Sequence, residues 1–173
     1  MTTADIKSTE FPNYFKRYID KVSPETELRT GLADSLPRFK SLFEEIPEEK
    51  MNHRYAPNKW SLKEVLQHIV DTERVFSYRL FRIGRGDQTP LSSFDQDKYI
   101  QPSRADQKSK GELLDEYEAV RRSTISLANS LSDKDWKNIG TSSNHPMSAR
   151  ALAFIILGHE IWHCDIIQER YMS

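Results

Sequence analysis

His159 and His163, in the run Gly158-His159-Glu160-Ile161-Trp162-His163, stand four residues apart in a segment of helical periodicity. At that spacing two imidazoles project from one helical face and can reach a single cation. Their position says more than their spacing. At about 100° per residue, both fall in the middle of the apolar face built by Leu152, Ile155, Ile156 and Ile166. Polar rings pushed into a core need partners. A metal ion satisfies both, and hydrogen bonding within the core is the alternative.

A third ligand must come from another helix. His68, in Leu66-Gln67-His68-Ile69, sits two turns into a second amphipathic stretch and flanks its apolar row beside Val65, Thr72 and Val75. Three histidines from two helices leave coordination positions for water or substrate, the pattern of catalytic rather than structural sites. Spacing does not choose among imidazole-binding metals such as zinc and nickel. The string His159-Glu160-x-x-His163 also matches the zinc-peptidase motif. That reading is disfavoured, because only ten residues follow His163 and no edge strand is visible. A di-iron carboxylate centre would need a second Glu-x-x-His on another helix, and the sequence has none.

Glu73 and Glu160 are the candidates for acid–base work. Glu73 interrupts an apolar row, so it is a general base, an acceptor for a ligand imidazole, or half of a buried pair with Arg74 or Arg79. Cys164 is about 140° from His159 around the helix and reads as a small buried filler. His53 and His145 fall in expected loops and read as solvated. Arg79, Arg82 and Arg85 are expected to cap the end of the second helix and meet Asp87, Asp95 and Asp97, with anionic-substrate binding as the alternative.

Four helices must position these residues, at roughly 25–46, 61–83, 109–131 and 148–171. The first carries Leu28, Leu32, Ser35, Phe39, Leu42 and Ile46, and Pro37 is expected to kink it. A shorter amphipathic piece, Tyr14 to Val22, precedes it. The second and third open on capping boxes, Ser61-Leu62-Lys63-Glu64 and Ser109-Lys110-Gly111-Glu112. No stretch alternates as a strand would. The sequence therefore predicts an all-α protein, a four-helix bundle in a single domain spanning residues 1–173. About 25 residues rich in Gly, Pro, Ser and Asp, Gly84 to Lys108, join helices two and three. That length suits a crossover leaving the two helices parallel.

Composition narrows the function. The 25 basic and 26 acidic residues leave a net charge of −1, so no basic field for nucleic acid or an acidic membrane is expected. The longest apolar run, Ala151 to Leu157, is far shorter than the roughly 20 residues that span a bilayer. One cysteine, and no basic-then-apolar order in MTTADIKSTEF, suit a cytoplasmic protein. Apolar residues make up 37% of the chain even with tyrosine counted. That is lean beside the roughly 45–50% of ordinary globular domains, which implies a core that is partly polar.

The runs Trp60-Ser61-Leu62-Lys63-Glu64-Val65, His68-Ile69-Val70-Asp71 and Glu73-Arg74-Val75-Phe76-Ser77-Tyr78-Arg79 resemble the second helix of the DinB/YfiT-like superfamily. The likeness continues through Arg85-Gly86-Asp87-Gln88-Thr89-Pro90-Leu91 and Phe94-Asp95-Gln96-Asp97 to Gly158-His159-Glu160, His163 and Glu169-Arg170-Tyr171. It covers Phe11 to Tyr171. The resemblance implies a divalent metal, nickel or zinc, held by His68, His159 and His163 in a bundle that is often a homodimer. It also implies a small-molecule substrate and chemistry with a low-molecular-weight thiol, bacillithiol or mycothiol, or else metal-dependent hydrolysis. A non-catalytic metal-binding bundle is the remaining alternative. Trp162 departs from the pattern, since many relatives carry a further histidine there, and the change bears on the pocket wall rather than on the triad.

Overall fold

The computed structural model describes residues 1–172. A single-turn helix α1 (Lys16–Ile19) precedes α2 (Leu28–Glu44) and α3 (Leu62–Gly84). Then come a short α4 (Asp97–Ser103), α5 (Lys110–Ser130), strands β1 (Ile139–Ser142) and β2 (His145–Ser148), and α6 (Ala149–Arg170). The four long helices α2, α3, α5 and α6 form the expected bundle. Both capping boxes close: Glu64 N–H donates to Ser61 Oγ while Ser61 N–H donates to the Glu64 carboxylate, and Ser109 with Glu112 repeats the pattern. Such caps contribute about 1 kcal/mol each. α2 runs through Pro37 without a break in its helical assignment.

Neighbouring helices are α2 with α5, α5 with α3, α3 with α6 and α6 with α2, so α2 lies diagonal to α3. Arg29 Nη2 donates to the Leu131 carbonyl and Lys110 Nζ to the Ile46 carbonyl, which makes α2 and α5 antiparallel. Lys108 meets Gln67 at one end of α3 and Ser130 meets Arg85 at the other, which makes α3 and α5 parallel. The long connection is the expected crossover. It is not structureless, however: α4 and a 3-10 turn at Ala105–Gln107 lie within it. Tyr171 OH, at the end of α6, donates to the Trp60 carbonyl just ahead of α3, so α3 and α6 are antiparallel.

Two expectations need correction. The segment before α6 is a β-hairpin rather than a loop, and His145 opens its second strand. Ser143 and Asn144, with φ of 53° and 65°, form its two-residue turn. A left-handed pair of this kind matches strand twist but usually contains glycine, and Ser-Asn gave no such signal. Leu91 of the crossover docks on this hairpin through N–H donation to the Thr141 carbonyl, and accepts from Ser143 N–H. Secondly, α6 is not one-sided: every residue from Ala151 to Glu160 is buried. The N-terminal segment covers its outer face, with α1 packed directly on it. Of the Tyr14–Val22 piece, only Lys16–Ile19 is α-helical.

The core falls into two apolar clusters. One gathers Leu28, Leu32, Phe76, Leu80 and the first half of α6; the other gathers Phe39, Phe43, Leu66, Leu113, Tyr117 and Ile167. Between them lies a belt of buried polar side chains drawn from all four helices: Ser35, His68, Thr72, Glu73, Arg121, Thr124, His159 and Glu160. Part of the lean apolar composition lies here, in a layer the protein keeps polar.

Candidate metal centre

α3 and α6 face each other across this belt, which brings His68 opposite His159 and His163. His68 Nε2 lies 3.0 Å from His159 Nε2, and His163 Nε2 lies 3.1 Å from the same atom. All three rings offer a nitrogen within 4.8 Å of the others. Gly158 makes this packing possible, because a Cβ there would lie 1.9 Å from the Tyr18 carbonyl oxygen. With α1 seated so closely, the Tyr18 ring meets His159 edge-on at 5.3 Å. Trp60 covers His68 at 4.7 Å between ring centroids. Thr72 Oγ1, one turn along α3, lies 3.3 Å from His68 Nδ1 and turns Nε2 toward the cluster.

The donor set fits one divalent ion. Two nitrogens at about 2.0–2.1 Å from a common metal are about 2.9 Å apart at a right angle and about 3.3 Å apart at the tetrahedral angle. The observed separations lie between these. Hydrogen bonding alone satisfies the cluster poorly: His159 Nε2 has either one proton or one lone pair, and two ring nitrogens press on it. Burial pushes the His68 pKa down to about 3 and that of His163 to about 4, and holds His159 well below its ordinary value. All three are thus neutral near pH 7, the form that binds metal.

Two cavities reach the cluster from different sides. One, of about 360 Å³, is bounded by Tyr18, Thr72, Phe76, Arg79, Phe94 and His159. The other, of about 310 Å³, is bounded by Tyr55, Trp60, Val65, His163 and Tyr171. Gln96 of the crossover stands in the wall of both. The histidines stand out in the sequence by their spacing, whereas Tyr18, Trp60 and Gln96 join their surroundings only through the fold.

The remaining candidates lie elsewhere. Glu73 pairs with neither Arg74 nor Arg79. Its carboxylate accepts from Arg121 Nε at 2.8 Å and Nη2 at 2.7 Å, and Nη2 also reaches Glu160 at 2.6 Å. Tyr117 OH donates to Glu160 at 2.6 Å, and Arg121 Nη1 donates to Ser35. Arg121 is fully buried. Burial opposes its charge, but Glu160 and Glu73 outweigh this and hold its pKa well above the ordinary value; burial raises the Glu160 carboxyl. Neither glutamate lines the two cavities beside the histidines. An unmatched pair of buried carboxylates demanded a cation, and Arg121, one turn from Tyr117, was the signal available. Of the arginine patch, only Arg82 meets an expected acid, Asp87; Arg85 donates to Ser130, and Arg79 turns inward. Cys164 is half-buried in a groove with Phe39 and Leu42, and burial raises its thiol pKa. His53 and His145 are exposed.

Fold and cluster together define a four-helix bundle with a cavity-facing histidine centre between its second and fourth long helices. The sequence pattern of the DinB superfamily matches residues 32–167, and the chain belongs to that superfamily. No curated protein sequence matches it. Among solved structures it is similar to YfiT from Bacillus subtilis, with a TM-score of 0.70 and 14% identity over 95% of this chain and 90% of that one. YfiT is described as a probable metal-dependent hydrolase with an unusual four-helix bundle topology. It is also similar to a mycothiol-dependent maleylpyruvate isomerase, with a TM-score of 0.64 and 10% identity over 94% of this chain and 60% of that one. At these identities the likeness is one of fold. No helix among the described residues is long and apolar enough to cross a membrane.

Proposed function

We propose that His68, His159 and His163 hold one divalent metal ion, nickel or zinc, and that the protein is an enzyme transferring a low-molecular-weight thiol to a small electrophile. The observation that carries this is the meeting of three neutral imidazoles, two buried and one half-buried, with nitrogens at 3.0 and 3.1 Å on the rim of two cavities. A bound divalent ion lowers the pKa of an adjacent water or thiol, supplying a nucleophile near neutral pH. His68 and His163 orient the site from opposite helices, with Thr72 fixing the His68 ring. Tyr18, Phe76 and Phe94 exclude water from one side, and Trp60 from the other.

Two cavities favour a two-substrate transfer over hydrolysis, since each can seat one reactant against a different histidine. The similar isomerase uses mycothiol, which supports the thiol; the described activity of YfiT supports hydrolysis as the second reading. A homodimer in the cytoplasm belongs to the same proposal, with sedimentation as the check on the first. The deciding experiment is a screen of thiols against electrophiles with added divalent metals, beside His159→Ala. Turnover that needs both thiol and metal is expected. Turnover without thiol would make the protein a hydrolase, and full metal occupancy in His159→Ala would remove the triad.

A further inference from the structure

Arg79 is 3% exposed, and among the described residues no carboxylate lies within 4.0 Å of its side-chain nitrogens. The other fully enclosed arginine, Arg121, has two carboxylates, and Arg150 has Glu10. A guanidinium so largely enclosed without a counter-charge is costly, and what remains accessible of it faces the cavity, which places it to take an anion from outside the chain. Its surroundings hold it in place without neutralising it. Nη2 donates to the Ser92 carbonyl at 2.7 Å and to Ser143 Oγ at 3.2 Å. The guanidinium carbon lies 5.5 Å from the Phe76 ring centroid and 5.4 Å from that of Phe94. Among the described residues, hydrogen bonds reach only Nη2 and leave Nε and Nη1 free, and the residue borders the 360 Å³ cavity. Ser143 carries one of the few positive φ angles outside glycine, 53°, in the turn that delivers its hydroxyl to Arg79.

We infer that Arg79 is the anion-recognising residue of this cavity, and that the compound bound there is a small carboxylic acid with a planar, apolar body. The walls are aromatic: Phe15, Tyr18, Phe76 and Phe94. The volume is at the small end of ligand pockets. The Phe76 ring is shared, with Arg79 on it at 5.5 Å and His159 at 6.5 Å, so a carboxylate on Arg79 directs the rest of the molecule toward the histidines. Asp95, also in the wall, is turned to its own loop: it accepts from Asp97 N–H and faces Lys98. The identity of this compound as the electrophile rests on the proposed function; its recognition by Arg79 does not require the metal.

The test is a titration of the purified protein with benzoate, its neutral isostere benzamide, and inorganic phosphate, followed by NMR. Benzoate is expected to bind more tightly than benzamide, and Arg79→Gln to weaken benzoate about tenfold or more and benzamide much less. Should Arg79→Gln fail to fold, Arg79→Lys and Ser143→Ala carry the test, each expected to weaken benzoate several-fold. Equal affinity for benzoate and benzamide, no benzoate binding, or unchanged benzoate affinity in these variants overturns the inference. Phosphate binding tighter than benzoate overturns the carboxylate assignment. Metal content measured on the same samples, and on His159→Ala, reports on the triad separately.

Discussion

Glu73, Arg121 and Glu160 occupy the same belt of the core as His68, His159 and His163, yet one group closes on itself and the other faces outward to cavities. In the first, each carboxylate meets the guanidinium, and Ser35 and Tyr117 take up further donors and acceptors. In the second, two uncharged rings crowd one nitrogen of a third. The contrast shows how a bundle tolerates polar residues at its centre: by complete internal pairing where it needs only structure, and by leaving valences free where it needs a ligand. Adjacent residues of α6, His159 and Glu160, belong to different groups because successive side chains point about 100° apart.

The largest effect is expected from breaking the closed group. Arg121→Met leaves Glu73 and Glu160 buried without a counter-charge and should cost about 3–5 kcal/mol in denaturant unfolding. A loss under 1 kcal/mol would mean that the carboxylates are already protonated and the pairing is incidental. Next comes the open group. Chelation should lower the stability of the wild type by about 3 kcal/mol if metal was present at about 100 times its dissociation constant, read as a fall in Tm, and should leave His159→Ala unmoved. An equal response in both would erase the distinction between the two groups.

Thr72→Val sharpens the comparison, since it removes only the hydroxyl that orients His68. Metal affinity should weaken about tenfold, roughly 1.4 kcal/mol, with the fold intact by circular dichroism. The smallest effect is that of the first pH unit below neutral on the metal-free protein. His68 and His163 have folded pKa values pushed down to about 3 and about 4. The unfolded chain therefore binds protons that the folded chain refuses as pH falls below the ordinary histidine value near 6.5. Stability should drop by somewhat under 1 kcal/mol per imidazole between pH 7 and pH 6, and keep falling until the folded pKa values are reached. A flat profile in that window would show that the rings are hydrated rather than enclosed.

Much of the fold was legible because its signals are local. Ser61 and Ser109 mark helix starts through contacts three residues away, and the spacing of Leu62, Leu66, Ile69 and Phe76 fixes a helix without reference to any other. The parallel pairing of α3 and α5 followed from the length of their connection. The hairpin was hidden because four-residue strands and a Ser-Asn turn carry little pattern. Arg121 was hidden because a guanidinium in a core is decided by what lies across from it, not by its own neighbours in sequence.

The sequence by itself determined four long helices, the crossover, and three histidines placed to meet from two of those helices. These depend on periodicity and capping, which act within a few residues. Only the tertiary structure decided that Arg121 would complete a pair of glutamates, that Gly158 would admit the Tyr18 carbonyl, and that Arg79 would be enclosed without a carboxylate. Each is a contact between residues at least several turns apart, and its energy exists only once burial has removed the water that would otherwise answer it.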